Sequence, residues 1–223
     1  MLSVAIDGPA GVGKSTVAKK LAQKLGWKCL DTGALYRAVC FALLKLGVDL
    51  SDKNKVIQSL KKFEISIKFI DNKQHTFLND EDITSYLRSQ EIDIKTPIIS
   101  AYPEVRQSVV KLQRKEAEVQ NLVVEGRDIG SNVLRDSKNK FYLDASPEER
   151  TNRRYKERLA RGEQTSFETI FDDIIKRDKI DMTRKIAPLV CASDAIKIDT
   201  TKMTIEEVVQ FIYDEVSKRL HWR

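Results

Sequence analysis

The stretch Leu2-Ser3-Val4-Ala5-Ile6-Asp7-Gly8-Pro9-Ala10-Gly11-Val12-Gly13-Lys14-Ser15-Thr16 decides the fold. Its aliphatic start and its Asp-Gly-Pro ending read as a buried strand running into a turn. Residues 8–16 then fit G-x-x-x-x-G-K-[ST], a loop that cradles phosphate. Glycines let successive N–H groups turn inward around a β-phosphate, and the N-terminus of the following helix adds positive dipole. Lys14 can reach the β- and γ-phosphates, and the Ser15 hydroxyl suits Mg²⁺. Val17, Ala18, Leu21, Ala22 and Leu25 follow at helical spacing, and Gly26 stands where a C-terminal cap belongs. Gly8, Pro9, Ala10, Gly11, Val12, Gly13, Lys14, Ser15 and Thr16 are the candidate ATP-binding residues, with Ser15 the candidate metal ligand.

Outward from this unit, strand patterns at 28–30, 122–124, 140–144 and 195–198 alternate with helical patterns at 35–46, 104–119, 147–160, 167–178 and 205–220. Alternation of this kind predicts a parallel sheet flanked by helices. Ser146 with Glu149, Thr165 with Glu168 and Thr204 with Glu207 each have the spacing of a capping box, the first with Pro147 opening the helix. Residues 63–70 and 74–78 alternate polar and apolar around Asp71-Asn72-Lys73, which predicts an antiparallel hairpin. No linker rich in Gly, Ser or Pro interrupts the chain, so the hairpin is read as an insertion into one core.

The composition narrows the function classes. The chain has 223 residues, 41% hydrophobic and 32% charged, with a formal net charge of +6. That length suits one domain with insertions, or two small ones, at roughly 150 residues per domain. Mean hydropathy is −0.39. The longest apolar run, 38–44, falls far short of the roughly 20 residues a spanning helix needs, which argues against a membrane protein. No basic segment precedes the first apolar run, so no signal peptide is expected. Cys29, Cys40 and Cys191 lack C-x-x-C spacing, which disfavours zinc and disulfides and suits a reducing cytosol. His75 and His221 have no partner at ligand spacing, so any metal is expected to arrive with a substrate.

A phosphate loop alone leaves hydrolysis, transfer and mechanical use open. Asp31-Thr32-Gly33-Ala34-Leu35-Tyr36-Arg37 follows the second strand and puts Arg37 early in a helix. A guanidinium fork there can clamp phosphate, though a solvated helix face accounts for the same spacing. Glu125-Gly126-Arg127-Asp128-Ile129-Gly130 leaves a buried strand at the edge where α/β sheets bind ligands, and a plain polar turn is the competing reading. Segment 150–161 gathers Arg150, Arg153, Arg154, Lys156, Arg158 and Arg161 against Glu157. With Tyr155 as its lone aromatic, it fits a phosphate-covering lid better than a nucleic-acid surface. Arg177, Asp181 and Arg184 share one face if their helix continues, either as ligand contacts or as a salt-bridged surface.

In their order and spacing, residues 8–16, 31–37, 102–106, 125–130, 146–154 and 177–184 with Ala187-Pro188-Leu189 resemble the bacterial cytidylate kinase family over nearly the whole chain. The resemblance implies an α/β fold: a P-loop kinase core with a central parallel β-sheet flanked by helices, an antiparallel monophosphate-binding insertion and a helical lid. It places the core at 1–59 and 93–223, the insertion at 60–92 and the lid near 147–165. It also implies transfer of the ATP γ-phosphate to CMP or dCMP, with Mg²⁺, giving CDP or dCDP plus ADP in pyrimidine nucleotide metabolism. A cytoplasmic monomer without nucleic-acid or membrane partners is the family expectation. Lys14, Arg127, Arg150 and Arg154 would be catalytic. Thr32, Tyr36, Arg37, Arg106, Arg127, Asp128, Arg177, Asp181 and Arg184 would hold the acceptor nucleotide. Glu125 stands where the family usually has Asp. Pro97 stands where a nucleotide-contacting Ser is expected, with Thr96 as the substitute hydroxyl. Rival readings are another small-molecule P-loop kinase and a nucleic-acid-linked ATPase; a GTPase is disfavoured by the lack of Asn-Lys-x-Asp.

Overall fold

The computed structural model describes residues 1–220. In chain order the elements are β1 (Ser3–Asp7), α1 (Lys14–Leu25), β2 (Lys28–Asp31), α2 (Thr32–Lys45), α3 (Lys53–Ser59), β3 (Ile65–Ile70), β4 (Lys73–Leu78), β5 (Glu81–Asp82), α4 (Gln90–Ser100), α5 (Pro103–Val119), β6 (Leu122–Glu125), β7 (Asn139–Asp144), α6 (Pro147–Ala160), α7 (Phe167–Thr183), β8 (Ile196–Asp199) and α8 (Ile205–Leu220). They form two compact units, one made of Met1 and Lys28–Gln120, the other of Leu2–Trp27 and the chain from Asn121 onward.

In the second unit β6, β1, β7 and β8 lie side by side in that order, all parallel. Val4 sits between Val123 and Asn139 in the ladder. Val4, Ala5, Ile6, Val123, Phe141 and Leu143 are buried, as strands covered on both faces require. α1 packs beside β6 and α8, and α6 packs against α7. Gly26 ends α1 in the left-handed region at φ 68°, and the N–H of Trp27 returns to Ala22 O at 2.9 Å.

Gly8 turns the chain out of β1 at φ +151°, and a Cβ there would lie 2.2 Å from the Leu143 carbonyl oxygen. Gly8→Ala is therefore expected to cost about 2–4 kcal/mol through crowding and backbone strain together. A shift of the urea midpoint measures it; an unchanged midpoint would mean that β7 yields freely.

In the first unit α2 is the central element. One of its faces packs Leu35, Val39, Cys40 and Leu43 against Val56, Ile92, Ile99, Val105 and Val109; another packs Ala38 and Ala42 against Leu78, Ile83 and Leu87. This accounts for the apolar run at 38–44, because a helix buried on several faces carries no polar stripe. The hairpin pairs β3 with β4 antiparallel, Ile70 opposite Lys73. Its turn is tighter than the sequence suggests, because Lys73 joins the strand and only Asp71 and Asn72 turn, both at positive φ (49° and 60°).

The capping boxes come out unequally. Thr204 and Glu207 bond reciprocally, Glu207 N–H to Thr204 Oγ1 at 3.2 Å and Thr204 N–H to Glu207 Oε2 at 2.8 Å. Ser146 caps α6 through Glu149 N–H, but the Glu149 carboxylate turns to Arg153 at 2.8 Å instead of closing the box. At α7 the cap is Ser166, which accepts from Thr169 N–H, so the Thr165 box is off by one residue. α7 continues to Thr183, beyond the predicted end at 178, and α2 begins at Thr32 because Asp31 caps it through Ala34 N–H.

Candidate active site

The phosphate loop occupies the β1–α1 connection, as the motif requires. Lys14 is only 5% exposed, and its ammonium donates to Pro9 O at 2.6 Å. Burial, reinforced by repulsion from Arg127, lowers its pKa to about 7, while Glu125, Asp181 and Asp7 pull the other way. The Ser15 hydroxyl donates to Glu125 Oε1 at 2.6 Å. Hydroxyl and carboxylate oxygens side by side are the donors Mg²⁺ takes, completed by phosphate and water. Glu125 thus keeps a carboxylate against Ser15 despite its extra methylene relative to Asp.

α6 and α7 brace the loop from outside. Arg150, buried, donates to Ala10 O and Ala145 O at 3.0 Å each and pairs with Asp178. The other Asp178 oxygen accepts the N–H of Ala10 at 3.1 Å. Arg153 reaches Val12 O at 3.2 Å and Thr200 O at 2.6 Å. Arg154 pairs with Glu157 on the outer side of α6. Within the basic cluster, then, Arg150 and Arg153 hold loop carbonyls, a division of labour that charge density alone does not reveal.

A second cluster stands beyond β6. Arg127 Nε donates to Asp181 Oδ2 at 2.9 Å. Burial opposes the Arg127 charge, but Asp181, helped by Glu125 and Asp178, overrides it and holds the guanidinium pKa above its usual value. Burial likewise pushes Asp181 up, and Arg127, Arg177 and Arg184 together bring its pKa below the usual carboxylate value. Arg184 also pairs with Asp128 at 3.2 Å and donates to Ala187 O at 2.6 Å. α7 ends at Thr183, so Arg184 meets Asp181 from just past the helix rather than from one continuous face. Asp7 closes the cluster: its buried carboxylate accepts from Ile129 N–H at 2.8 Å and Gly130 N–H at 2.7 Å. Burial raises its pKa to about 6 against those bonds.

In the first unit Arg37 and Arg88 share Asp31 Oδ2, at 3.0 and 2.8 Å. Two guanidiniums on one carboxylate leave net positive charge, which suits an anion. Thr32 is buried in the first turn of α2, and Arg106 stacks on the Tyr36 ring at 5.5 Å. Thr96, which follows Lys95 and precedes Pro97 in α4, is buried and gives its hydroxyl to Ile92 O at 2.6 Å. Asp7, Arg88 and Asp178 were not legible as site residues. Arg88 meets Asp31 across 57 residues and Asp178 meets Ala10 across 168, distances at which no local pattern survives.

A parallel sheet with a glycine loop leading into a helix, a buried lysine in that loop and arginines paired with acids beyond the next strand define a P-loop kinase. The family model described as cytidylate kinase matches residues 4–218. A cytidylate kinase of Caldanaerobacter subterraneus subsp. tengcongensis is 45% identical over 217 residues, covering 97% of this chain and 95% of that protein. One from Shouchella clausii is 46% identical over 216 residues, covering 97% and 96%. The crystal structure of an uncharacterized protein from Eubacterium ventriosum shares the fold, with a TM-score of 0.52 at 14% identity over 97% of this chain and 99% of that one. The chain belongs to the cytidylate kinase family. Among the described residues no helix is long and apolar enough to cross a membrane.

Proposed function

We propose that this protein transfers the γ-phosphate of ATP to CMP or dCMP, giving CDP or dCDP and ADP. The observation that carries the reading is the Arg127–Asp181–Arg184–Asp128 network, which sets cationic and hydrogen-bonding groups just past the strand that follows Lys14's loop in the sheet.

The acceptor is itself a phosphate monoester with a second pKa near 6, so its attacking oxygen is anionic at pH 7 and no general base is needed. Catalysis then consists of aligning two anions and neutralising the charge spread over the transferring group. Lys14 neutralises the β- and γ-oxygens, and the loop amides hold them. Arg127 meets the acceptor phosphate, while Asp128, Asp181, Arg177 and Arg184 present donors and acceptors to the nucleoside. Ser15 and Glu125 would hold the Mg²⁺ that accompanies ATP, which adds charge neutralisation on the phosphates. Segment 147–165 acts as the lid, with Arg154 offered from α6 to the transferring phosphate. Within the first unit, Arg37 and Arg88 on Asp31 form a phosphate clamp.

The test is ADP formation with CMP, dCMP, UMP, AMP and shikimate offered separately. Preference for CMP or dCMP supports the reading, and ATP hydrolysis indifferent to acceptor refutes it. Arg37→Ala is expected to raise KM for CMP by about tenfold or more while leaving KM for ATP within about twofold. Unchanged CMP kinetics would return Arg37 to the role of a partner for Asp31.

A further inference from the structure

We propose that Asp7 is a positioning residue for the acceptor: the last side chain of β1 sets the loop that presents Arg127 and Asp128. The inference rests on reading that loop as part of the acceptor site. β1 grips the loop at two points. Gly126 N–H donates to Ile6 O at 3.0 Å, continuing the β1–β6 ladder. Ile129 and Gly130 N–H then bind the Asp7 carboxylate, one oxygen each. Only Arg127 and Asp128 lie between these anchors, so neither can slide along the strand direction or rotate away without breaking a buried hydrogen bond.

The chemistry of the second anchor is that of a helix cap supplied from another strand. Residues 129–133 form a single π-turn, closed by Leu134 N–H to Ile129 O at 2.7 Å. Amides that open a helical turn have no partner within it. A carboxylate satisfies two of them at once and fixes the turn's rotation as well as its distance. Gly130 permits the approach, since a Cβ there would lie 3.2 Å from Lys140 Cδ and 3.4 Å from Asp7 Oδ2. The position so fixed is passed on: Asp128 accepts from Arg184 and from Asn132 at 2.9 Å, and Arg127 meets Asp181. Asp7 also directly precedes Gly8. The end of β1 therefore carries the donor loop through its backbone and the acceptor loop through its side chain.

Asp7→Asn keeps the shape and one acceptor but turns an amide N–H₂ toward the second backbone N–H. The expected result is a KM for CMP raised about tenfold or more, with KM for ATP and affinity for ADP within about twofold of the parent. Equal losses toward both nucleotides, or none toward CMP, overturn the proposal. A parent protein that ignores CMP and dCMP fails the functional reading instead, and shows it before any variant is made. Should Asp7→Asn not fold, amide hydrogen exchange on the parent decides. Ile129 and Gly130 amides protected to the level of β1 support the anchor, and exchange at the rate of an open loop removes it.

Discussion

Lys14→Met is expected to melt no lower than the parent while turning over about a thousandfold more slowly, since one preorganised donor on a transferring group supplies about 10²–10³ in rate. Both effects come from the same burial. The folded protein holds this amine at a pKa of about 7 rather than 10.5, chiefly because it is withdrawn from water and secondarily because Arg127 repels it. The folded state thus binds the proton less tightly than the unfolded chain. The resulting penalty is fully present below about pH 7 and fades as pH rises toward 10.5. Methionine fills a similar volume without charge. The bond lost to Pro9 O is worth about 1 kcal/mol, less than the penalty removed. The variant's advantage in melting temperature should therefore be largest at and below neutrality and shrink toward pH 10. Calorimetry at several pH values, beside turnover at saturating nucleotide, reads both. A variant that melts well below the parent near pH 6.5, or keeps more than about a tenth of its turnover, would remove Lys14 from its assigned place.

What could be read beforehand was whatever is encoded locally. The Gly8–Gly13 spacing, the helical repeat ending at Gly26 and the aliphatic strands at Val4, Val123 and Leu143 all act within a few residues of one another. α4, which is absent from the helical patterns read in the sequence, carries Pro97 in its interior. A proline removes one N–H and crowds the preceding turn, costs that burial of Ile92 and Ile99 outweighs here. The first unit's remaining site contacts join β2 to distant segments, Asp31 to Gln74 and Arg88, and are set only once the hairpin has packed on α2.

The basic cluster 150–161 marks the same boundary from the other side. Its charge density was plain, but assigning individual arginines required knowing which faces are buried. Arg150 and Asp178 together hold both the N–H and the C=O of Ala10, and Gly11 lies so close that a Cβ would be 2.8 Å from the Arg150 carbonyl oxygen. The arginine read as catalytic also braces the loop's shape, and the acid that makes this possible had no visible partner in the sequence.

The second large effect is expected at Arg127, and it separates binding of the transferring group from support of the fold. Arg127→Met should lower kcat/KM for CMP by about 10³, the scale of an arginine placed on phosphoryl charge. It should also cost about 2–3 kcal/mol of stability, because Asp181 keeps Arg184 at 3.5 Å and the field of Arg177 but loses its shortest ion pair. Removing the stranded charge as well, in Arg127→Met with Asp181→Asn, should restore most of the stability, since a neutral amide is cheaper to bury than an unpaired carboxylate. Activity toward CMP should not return, because no cation faces the acceptor phosphate from β6. Urea unfolding and CMP kinetics on the two single variants and the double complete the cycle. If the double variant recovers activity along with stability, Arg127 serves the fold by neutralising Asp181, and the phosphate of the acceptor is met by other arginines.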